Sequence, residues 1–229
     1  MQQKNISNSV IRRLPRYYRF LGGLLREGTT KISSRELSEK MRLTASQIRQ
    51  DLNCFGGFGQ QGYGYNVAEL RQEIAHILGL DCSQKAILVG AGNLGRAITM
   101  HIDFTKYGYE LAGIFDSNLS MENIEISGLP IMHTNRLAEF CAEHKPAMAI
   151  LCIPRSGAVE TVERLTELGI YAFWNFSHYD IHIDYPDIIV ENVHLADSLM
   201  TLSYATKNML AQAAPSDSES ISEDHPPQL

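Results

Sequence analysis

The chain has 229 residues, 44% of them hydrophobic, which is enough for two domains that each bury a core. It has no apolar run of membrane-spanning length and no apolar signal-peptide core at its N-terminus, so a membrane protein is excluded and a cytoplasmic location is expected. Its four cysteines form no C-x-x-C pair and no zinc pattern, and reduced, unpaired thiols are therefore expected.

The formal net charge of −6 hides opposite charges on two parts of the chain. Residues 1–80 carry 12 Lys and Arg against 6 Asp and Glu, a net of +6. Residues 81–229 carry 8 against 20, a net of −12. A basic N-terminal part joined to an acidic remainder predicts a polyanionic partner for the first part only.

Short helices are predicted for the first 55 residues. Apolar residues at helical spacing predict a first helix, which Pro15 is expected to kink or restart. Ser33 or Ser34 caps a second helix over residues 35–41, and Thr44 caps a third over residues 45–52. Two short helices joined by a tight turn are typical of a helix-turn-helix, whose second helix enters the major groove of DNA. The predicted DNA contacts on that helix are Ser46, Gln47, Arg49, Gln50 and Asn53.

The next segment, residues 55–67, alternates aromatic residues with glycines and carries a polar pair at its tip. This pattern predicts a β-hairpin wing rather than an ordinary flexible loop, because it directly follows the helix-turn-helix. Gln60, Gln61 and Tyr63 are therefore further predicted DNA contacts. A last helix over residues 67–78 completes a winged-helix domain that spans residues 1–80.

A strand, a glycine-rich turn and an acidic residue define the second domain. The apolar run at residues 85–89 predicts a strand buried on both faces, and Gly90 to Gly95 then match G-x-G-x-x-G. Gly90 permits the tight turn, Gly92 lets a pyrophosphate approach the backbone, and Gly95 lets the next helix pack on the strand. Free N–H groups and about half a positive charge at the helix start would face the phosphates. Asp116, about twenty residues on, can accept hydrogen bonds from ribose hydroxyls, which favours NAD(H) over NADP(H).

The predicted NAD(H) contacts in this turn are Gly90, Ala91, Gly92, Asn93, Leu94, Gly95 and Asp116. The motif alone leaves two other interpretations open, a purely structural βα turn or another adenine ligand such as coenzyme A. The preceding strand, the following helix and the acid at the right distance together favour the dinucleotide site.

Strands and helices continue to alternate after Asp116. Strands are predicted at residues 131–132, 147–153, 170–176 and 188–193, and helices at 136–144 and 156–168. This order predicts an α/β Rossmann domain with a doubly wound parallel sheet over residues 85–210. Ligands bind beyond the carboxyl ends of such strands, so Ile153 and Pro154 are expected to pack on the nicotinamide ring, with sheet packing as the alternative. Asn175 is expected to bond the nicotinamide carboxamide.

The end of the chain adds a helix, a polar tail and several histidines. Residues 195–210 predict a helix that a single Rossmann fold does not need, so it packs on its own domain or on a partner subunit. Residues 211–229 have four acids and no Lys or Arg, which predicts a disordered acidic tail. The neighbours of His178, His182 and His194 lack paired carboxylates, and no metal site is expected.

A winged helix followed at once by an NAD-type domain resembles the redox-sensing transcriptional repressors called Rex. The resemblance runs from about Asn8 to Leu210 and rests on the strings RLPRYYR at 13–19, IRQDL at 48–52, FG at 55–56, GYGY at 62–65, the glycine motif, GI at 169–170, NF at 175–176 and ENV at 191–193. It implies a homodimer in which the final helix of each subunit lies between the two domains of the other. It also implies repression from a palindromic operator while NAD⁺ dominates, and release when NADH binds.

The chain departs from the family pattern at positions that bear on DNA binding and coupling. Gln50 stands where the family favours Arg or Lys, and the wing tip has Gln60-Gln61 instead of basic residues, so fewer phosphate contacts and a shallower salt dependence are expected. The resemblance assigns coupling between the domains to Arg19 and to the positions of His101 and His194, where the family has Tyr and Asp. We therefore hypothesise that coupling runs through histidine contacts and depends on pH between about 6 and 7.

Two other functions compete with a redox-sensing repressor. An NAD-dependent dehydrogenase would need a substrate domain, for which the chain has no room, and a proton donor, whereas Tyr204 and Lys207 are one residue too close for a Tyr-x-x-x-Lys pair. No substrate beyond NAD(H) is therefore expected. A transcription factor could instead answer NADP(H), coenzyme A or a thiol oxidant. Asp116 opposes NADP(H), while Cys54 and Cys152 leave thiol sensing open as an auxiliary input.

Overall fold

The structure, a computed structural model, describes residues 6–55 and 64–213. Its N-terminal part begins with helices α1 (Asn8–Ile11) and α2 (Leu14–Arg26). Pro15 has no N–H with which to continue a helix from α1, so the helix restarts as α2. Pro15 lies in the first turn of α2, where its missing N–H costs no helix hydrogen bond. The restart expected at Pro15 is therefore confirmed.

Helices α3 (Ser34–Met41) and α4 (Ala45–Asn53) form the helix-turn-helix. Ser33 and Glu36 make a capping box at the start of α3, in which the Ser33 Oγ accepts from the Glu36 N–H at 3.1 Å. Arg42 ends α3 in the left-handed region at φ 52°, and the Thr44 Oγ1 caps α4 by accepting from the Gln47 N–H at 3.1 Å. The predicted caps and the tight turn are thus confirmed.

A short two-stranded antiparallel sheet pairs β1 (Lys31–Ile32), which precedes α3, with β2 (Tyr65–Asn66), which follows α4. It forms the base from which the predicted wing would extend. The predicted wing contacts Gln60, Gln61 and Tyr63 lie outside the described residues. Helix α5 (Val67–Ile77) closes the domain. Asn66 caps its start, because the Asn66 side chain accepts from the Ala68 and Glu69 N–H groups.

The core of this domain contains one buried charge. Its apolar members include Leu14, Tyr17, Leu21, Leu37, Ile48, Leu52 and Ile74. Asp51 of α4 is fully buried beside them, and its carboxylate accepts two hydrogen bonds of 2.7 Å from the Arg13 guanidinium. It also accepts from the Tyr17 hydroxyl at 3.0 Å and from the Gln47 Nε2 at 2.7 Å. The sequence had indicated no role for Asp51.

The second domain is built on a seven-stranded sheet. Its strands are β3 (Gln84–Val89), β4 (Tyr109–Asp116), β5 (Glu125–Ile126), β6 (Leu129–His133), β7 (Met148–Leu151), β8 (Ala172–Asn175) and β9 (Ile189–Asn192). Their spatial order is β5-β6-β4-β3-β7-β8-β9, and all neighbours are parallel except the short β5–β6 pair. The order reverses between β3 and β7, as in a Rossmann fold, so the predicted doubly wound parallel sheet is confirmed.

Helices cover the two faces of this sheet unequally. Helix α6 (Asn93–His101) packs on one face, and α7 (Leu137–His144) and α8 (Arg155–Glu167) pack on the other. The helical spacing of Val159, Val162 and Leu165 predicts that all three point inward from α8, but Val159 is 47% exposed, because Ala158 takes the buried position beside Val162. A short helix α9 (Ile181–Asp184) precedes β9.

The last helix, α10 (Leu195–Ala213), has almost no contact with its own subunit. Its apolar side chains are exposed, including Leu195, Leu199, Met200, Leu202, Tyr204, Met209 and Leu210. The helix extends slightly beyond the predicted residue 210, and residues 214–229 of the predicted tail lie outside the described part. No helix within residues 6–55 and 64–213 is long and apolar enough to span a membrane.

The Asp51 network makes a prediction about stability. We expect Asp51→Ala to lower the free energy of unfolding of the N-terminal domain by about 3 kcal/mol, because Arg13 and Tyr17 lose their acceptor inside the core. Glu39→Ala, which removes the exposed Arg35–Glu39 pair, should change it by less than about 0.5 kcal/mol. Urea denaturation of both variants measures the difference.

The same network predicts an acid dependence. Burial alone would raise the pKa of the Asp51 carboxyl, but hydrogen bonds from Arg13, Gln47 and Tyr17 outweigh it and hold that pKa below its usual value. The contribution of Asp51 is therefore present above the ordinary aspartate pKa of about 3.9 and is lost as the pH falls through the lower folded value. Equal stability losses in Asp51→Ala and Glu39→Ala would contradict this account.

Candidate functional site

The glycine-rich turn after β3 brings two backbones unusually close together. Gly90 has a φ of 103°, and a Cβ at this position would collide with the Cys152 carbonyl after β7. A Cβ on Gly95 would collide with the Gly90 carbonyl, so α6 packs directly on the end of β3. By contrast, a Cβ on Gly92 would meet nothing within 4 Å, because that glycine faces open space. Gly90 and Gly95 therefore have the turn and packing roles predicted for them, and the face of Gly92 is open, as the predicted approach of a phosphate requires.

Helix α6 begins without a side-chain cap. Gly92 is its N-cap residue and offers no side-chain oxygen, which leaves the first helix N–H groups available to a ligand. Asn93 is exposed beside them, whereas Leu94 packs into the core on the α6 face. An uncapped helix start with an open approach suits an anionic group such as a phosphate.

Asp116 lies at the end of β4, next to this helix start. Its Oδ2 accepts a hydrogen bond of 2.7 Å from the Ala91 N–H, and its Oδ1 accepts one of 2.8 Å from the Asn118 N–H. These bonds fix the carboxylate at the rim of the glycine turn. Each oxygen keeps a lone pair that can accept from a ribose hydroxyl.

A cleft of about 490 Å³ opens at the point where the strand order reverses. We call it the glycine-loop cleft; its lining includes Gly90, Gly92, Asp116, Leu137, Cys152, Ile153, Pro154, Glu160, Thr161 and Arg164. The site thus combines an open helix start, a fixed carboxylate and the apolar side chains that follow β7. The predicted residues Ile153 and Pro154 belong to this lining, as expected for contacts with a ring.

Asn175 does not have the role that its sequence position predicted. Its side chain is fully buried, and its Nδ2 donates to the Tyr179 carbonyl and to the Asn192 Oδ1, both at 2.8 Å. Its Oδ1 accepts from the Ser177 N–H at 3.0 Å and from the Ser177 hydroxyl at 2.6 Å. Every hydrogen-bonding position of the amide is filled, so Asn175 holds the loop after β8 instead of meeting a carboxamide.

The two cysteines considered for thiol sensing have different surroundings. Burial raises the pKa of the Cys152 thiol to about 12, which keeps it protonated and unreactive at neutral pH. The Cys54 thiol donates to the Gln50 carbonyl at 3.3 Å near the end of α4. The structure therefore removes the basis for Cys152 as an oxidant sensor.

The outward face of α4 presents the predicted DNA contacts together. Ser46, Arg49, Gln50 and Asn53 are exposed, and Gln47 is half-buried. They line one side of an open cleft of about 1010 Å³ between α4 and the chain at residues 6–13. The Arg49 guanidinium donates to the Ser34 Oγ at 3.2 Å, which places a cation across the two helices of the motif.

Comparisons with known proteins agree with this geometry. Residues 5–53 match a family model described as a putative DNA-binding protein N-terminus, and residues 81–179 match one described as a CoA binding domain. A redox-sensing transcriptional repressor Rex from Thermoanaerobacter pseudethanolicus is 52% identical over 203 residues, covering 89% of this chain and 90% of that protein. A Rex from Clostridioides difficile is 50% identical over 204 residues, covering 89% and 97%. The chain belongs to the Rex family of redox-sensing transcriptional repressors.

Solved structures from the Rex family share the fold of both domains. The structure of RSP in complex with β-NAD⁺ and operator DNA has a TM-score of 0.83 and 49% identity, covering 93% of this chain and 99% of that one. RSP in complex with β-NADH has a TM-score of 0.83 and 46% identity, covering 92% and 100%. Because Rex relatives are repressors, the Rossmann domain here is a regulatory domain and this chain is not a dehydrogenase.

The coupling residues that the Rex resemblance indicated lie in three places. Arg19 is exposed on α2, and His101 is exposed at the last residue of α6. The Nδ1 atoms of His194 and His178 are 3.2 Å apart, with their ring centroids at 5.2 Å. The sequence had suggested no pairing for His178, because sixteen residues separate it from His194. No group of three or more metal-ligating side chains occurs among the residues that the structure describes.

Two glycine substitutions should separate folding from ligand binding. We expect Gly95→Ala to destabilise the Rossmann domain by about 3 kcal/mol, because the added methyl group collides with backbone. Gly92→Ala should leave the thermal midpoint nearly unchanged yet weaken NADH binding by roughly tenfold, because its methyl group fills the phosphate approach. Calorimetric melting and the fluorescence of bound NADH measure the two effects.

The two variants act as controls for each other. Normal NADH affinity in a folded Gly92→Ala protein would show that the phosphates do not pass over this turn.

Proposed function

We propose that this repressor binds NAD(H) in the glycine-loop cleft and operator DNA through α4, and that rising NADH releases it from the DNA. The observation that carries the proposal is the open, uncapped start of α6 beside Asp116, in the same chain as an exposed polar recognition helix. The structures of RSP in complex with β-NAD⁺ and operator DNA and in complex with β-NADH support it.

The cleft fits a dinucleotide in three respects. The open face of Gly92 and the free N–H groups of α6 would hold the pyrophosphate. Asp116 would accept from the adenosine ribose hydroxyls and would repel the phosphate that distinguishes NADP(H). Ile153 and Pro154 would pack against the nicotinamide ring, beside the half-buried Cys152, whose raised pKa keeps its thiol uncharged.

The same cleft can distinguish the two redox forms of the ligand. The nicotinamide ring is a cation in NAD⁺ and is uncharged in NADH, and an apolar surrounding disfavours the cation. NADH can release the DNA only if it binds the DNA-incompetent arrangement more tightly than the competent one. The difference between the two affinities sets how far the population shifts.

DNA binding belongs to the basic N-terminal domain. Arg49 supplies a cation for a phosphate, and Ser46, Gln47, Gln50 and Asn53 supply polar groups for phosphates or base edges. The adjacent domain is acidic, which keeps DNA on the α4 side of the molecule. Gln60, Gln61 and Tyr63 of the wing would add contacts to the backbone or the minor groove.

A homodimer explains the exposed last helix. Leu195, Leu202 and Met209 recur every seven residues along α10 and are all exposed. The sheet face that α6 leaves bare carries an apolar groove of about 510 Å³ lined by Ile102, Phe104, Tyr109, Phe173, Trp174 and Ile189. A second copy that exchanges α10 would cover these apolar surfaces, and a two-fold dimer suits a palindromic operator.

Coupling between the domains would run along the edge of the sheet that leads into α10. Arg12 and Glu191 form an exposed ion pair of 3.7 Å between the helical domain and β9, whereas Arg19 is exposed on α2. His194 and His178 meet just before α10 begins. His101 lies on α6, and it would contact His178 or His194 only from the other subunit of the dimer or after a movement of the domains. A cytoplasmic location fits such a repressor.

The central prediction concerns ligand-controlled release. The probe is a fluorescent duplex that the protein itself enriches from a random pool, bound in a fixed excess of NAD⁺. Adding NADH should lower the anisotropy at concentrations well below that of NAD⁺, because NADH stabilises the DNA-incompetent arrangement. Coenzyme A should have no such effect. Gly92→Ala should bind the duplex and need roughly tenfold more NADH for release.

Repeating this titration between pH 6 and pH 7 tests the histidine hypothesis. The NADH midpoint should shift with pH in the wild type, and His194→Asn should flatten that dependence. A wild-type response that does not change over this range would remove histidine coupling. DNA binding that ignores NADH at every pH would remove the redox-sensing proposal.

The dimer makes a separate prediction. Sedimentation equilibrium should find the wild type dimeric, and Leu202→Glu should shift it toward the monomer, because a charge would enter an apolar interface. Lys207→Glu, which adds negative charge to the same helix away from the apolar repeat, should remain dimeric. Equal effects of both substitutions would argue against α10 as the interface.

A further inference from the structure

One residue on the outward face of α4 differs from its neighbours. Gln47 is anchored: its Nε2 donates at 2.7 Å to the Oδ1 of Asp51, one helical turn further on. No such carboxylate partner is found for the Gln50 or Asn53 side chains among the described residues, and both are exposed. The anchor makes Gln47 the amide on this face whose orientation is fixed.

The direction of the Gln47 amide follows from the chemistry of its partner. Hydrogen bonds from Arg13 and Tyr17 help keep the buried Asp51 ionised by lowering its pKa. An ionised carboxylate can only accept, so the atom that faces it must be the amide nitrogen of Gln47. An amide rotated by half a turn would set Oε1 against a carboxylate oxygen. The acceptor Oε1 therefore points away from Asp51.

The position of Gln47 on the helix gives this acceptor a target. Gln47 is the third residue of α4, in the turn that a helix-turn-helix presents to base edges, and it lines the open cleft beside Ser46 and Gln50. No group among the described residues donates to its Oε1. The side chain thus offers a fixed acceptor on the surface that is expected to face the major groove.

Building on the proposed DNA binding, we propose that Gln47 is a specificity-determining residue that accepts a hydrogen bond from the exocyclic amino group of one base, and that Asp51 is the positioning residue that fixes it. In the major groove only adenine N6 and cytosine N4 carry such a donor. Guanine O6 and thymine O4 present an acceptor there, which would face the Gln47 oxygen. Gln47 thereby selects adenine or cytosine at one position of each half-site.

Base analogues that lack only the amino group give the sharpest test. Wild-type, full-length protein first enriches a palindromic duplex from a random pool, and each adenine or cytosine of a half-site is then replaced by purine or 2-pyrimidinone. At one position the loss of the amino group should weaken wild-type binding about three- to tenfold, as expected for one hydrogen bond. Gln47→Ala should bind both duplexes of that pair equally.

Gln47→Glu tests the anchor. A glutamate keeps an acceptor but has no N–H to donate to the Asp51 carboxylate, so the fixed orientation is lost and the penalty for the missing amino group should fall as it does in Gln47→Ala. The matched controls are Gln50→Ala and Gln50→Glu, which lie on the same face without a carboxylate anchor and should leave the penalty unchanged. Asp51→Asn removes the anchoring carboxylate, so the loss of the amino group at that position should no longer weaken binding. A purely structural role of Asp51 would weaken both duplexes equally and leave their ratio unchanged.

Each outcome bears on the proposal. A penalty that survives in Gln47→Ala would overturn the base contact, and one that survives in full in Gln47→Glu would overturn the role of the anchor; the Gln47 variants decide this even if Asp51→Asn fails to fold. A wild-type protein that tolerates the loss of every amino group would overturn it while leaving DNA binding intact. A wild-type protein that enriches no duplex would overturn the DNA-binding function and this inference with it.

Discussion

The close approach of two backbones at Gly90 and Gly95 determines how the nucleotide domain is built. Because α6 packs on the Gly90 carbonyl, the helix starts directly beyond the end of β3, and its N-cap residue Gly92 has no side chain to cap it. The uncapped N–H groups then face the end of β4, and Asp116 reaches Ala91 of the same turn. The proposed ligand site is therefore a consequence of how β3 and α6 pack. A larger residue at Gly90 or Gly95 would disrupt both this packing and the site.

In the DNA-binding domain, the buried charge of Asp51 determines where α4 lies. Asp51 ties α4 to Arg13 and Tyr17 of the preceding helices, so the recognition helix is fixed by a directional contact as well as by apolar packing. Such a network is stable only when every acceptor position is filled, and Gln47 fills the last of them. Gln47 thus completes the buried network around Asp51 with its amide nitrogen and presents its amide oxygen, in one orientation, on the outward face of α4.

Local signals predicted much of this structure from the sequence. Pro15, Ser33 and Thr44 mark helix starts through contacts a few residues away, and the glycine motif with Asp116 identified the strand, helix and cleft. The residues that sequence reasoning misjudged depend on distant partners. Asn175 follows the right strand for a ligand contact, but Asn192 and Tyr179 fill its amide.

Asp51 and His178 show the same limit. An aspartate within a polar helix face is indistinguishable from a solvent-exposed one until Arg13, thirty-eight residues earlier, is known to meet it. His178 gave no signal because its partner His194 lies on the far side of β9 in the sequence. Val159 was misplaced by one position, since small Ala158 rather than the larger valine fits against the sheet. Packing and pairing across the fold decide these cases, and neither is encoded in local spacing.

The distribution of rigid and unsupported elements indicates where a ligand signal can act. The glycine turn is packed closely against backbone on two sides, at Cys152 and at the start of α6, which leaves it little room to move. In the proposed mechanism a change on ligand binding would therefore arise at the opposite wall of the cleft, where Ile153 and Pro154 follow β7. The neighbouring strand β8 leads into the loop held by Asn175, which carries His178, and the partner of His178, His194, stands immediately before α10. Since α10 is exposed on its own domain, its position in the proposed homodimer would depend on that short junction and on the second subunit, and a small movement of the loop would change the relative placement of the two recognition helices.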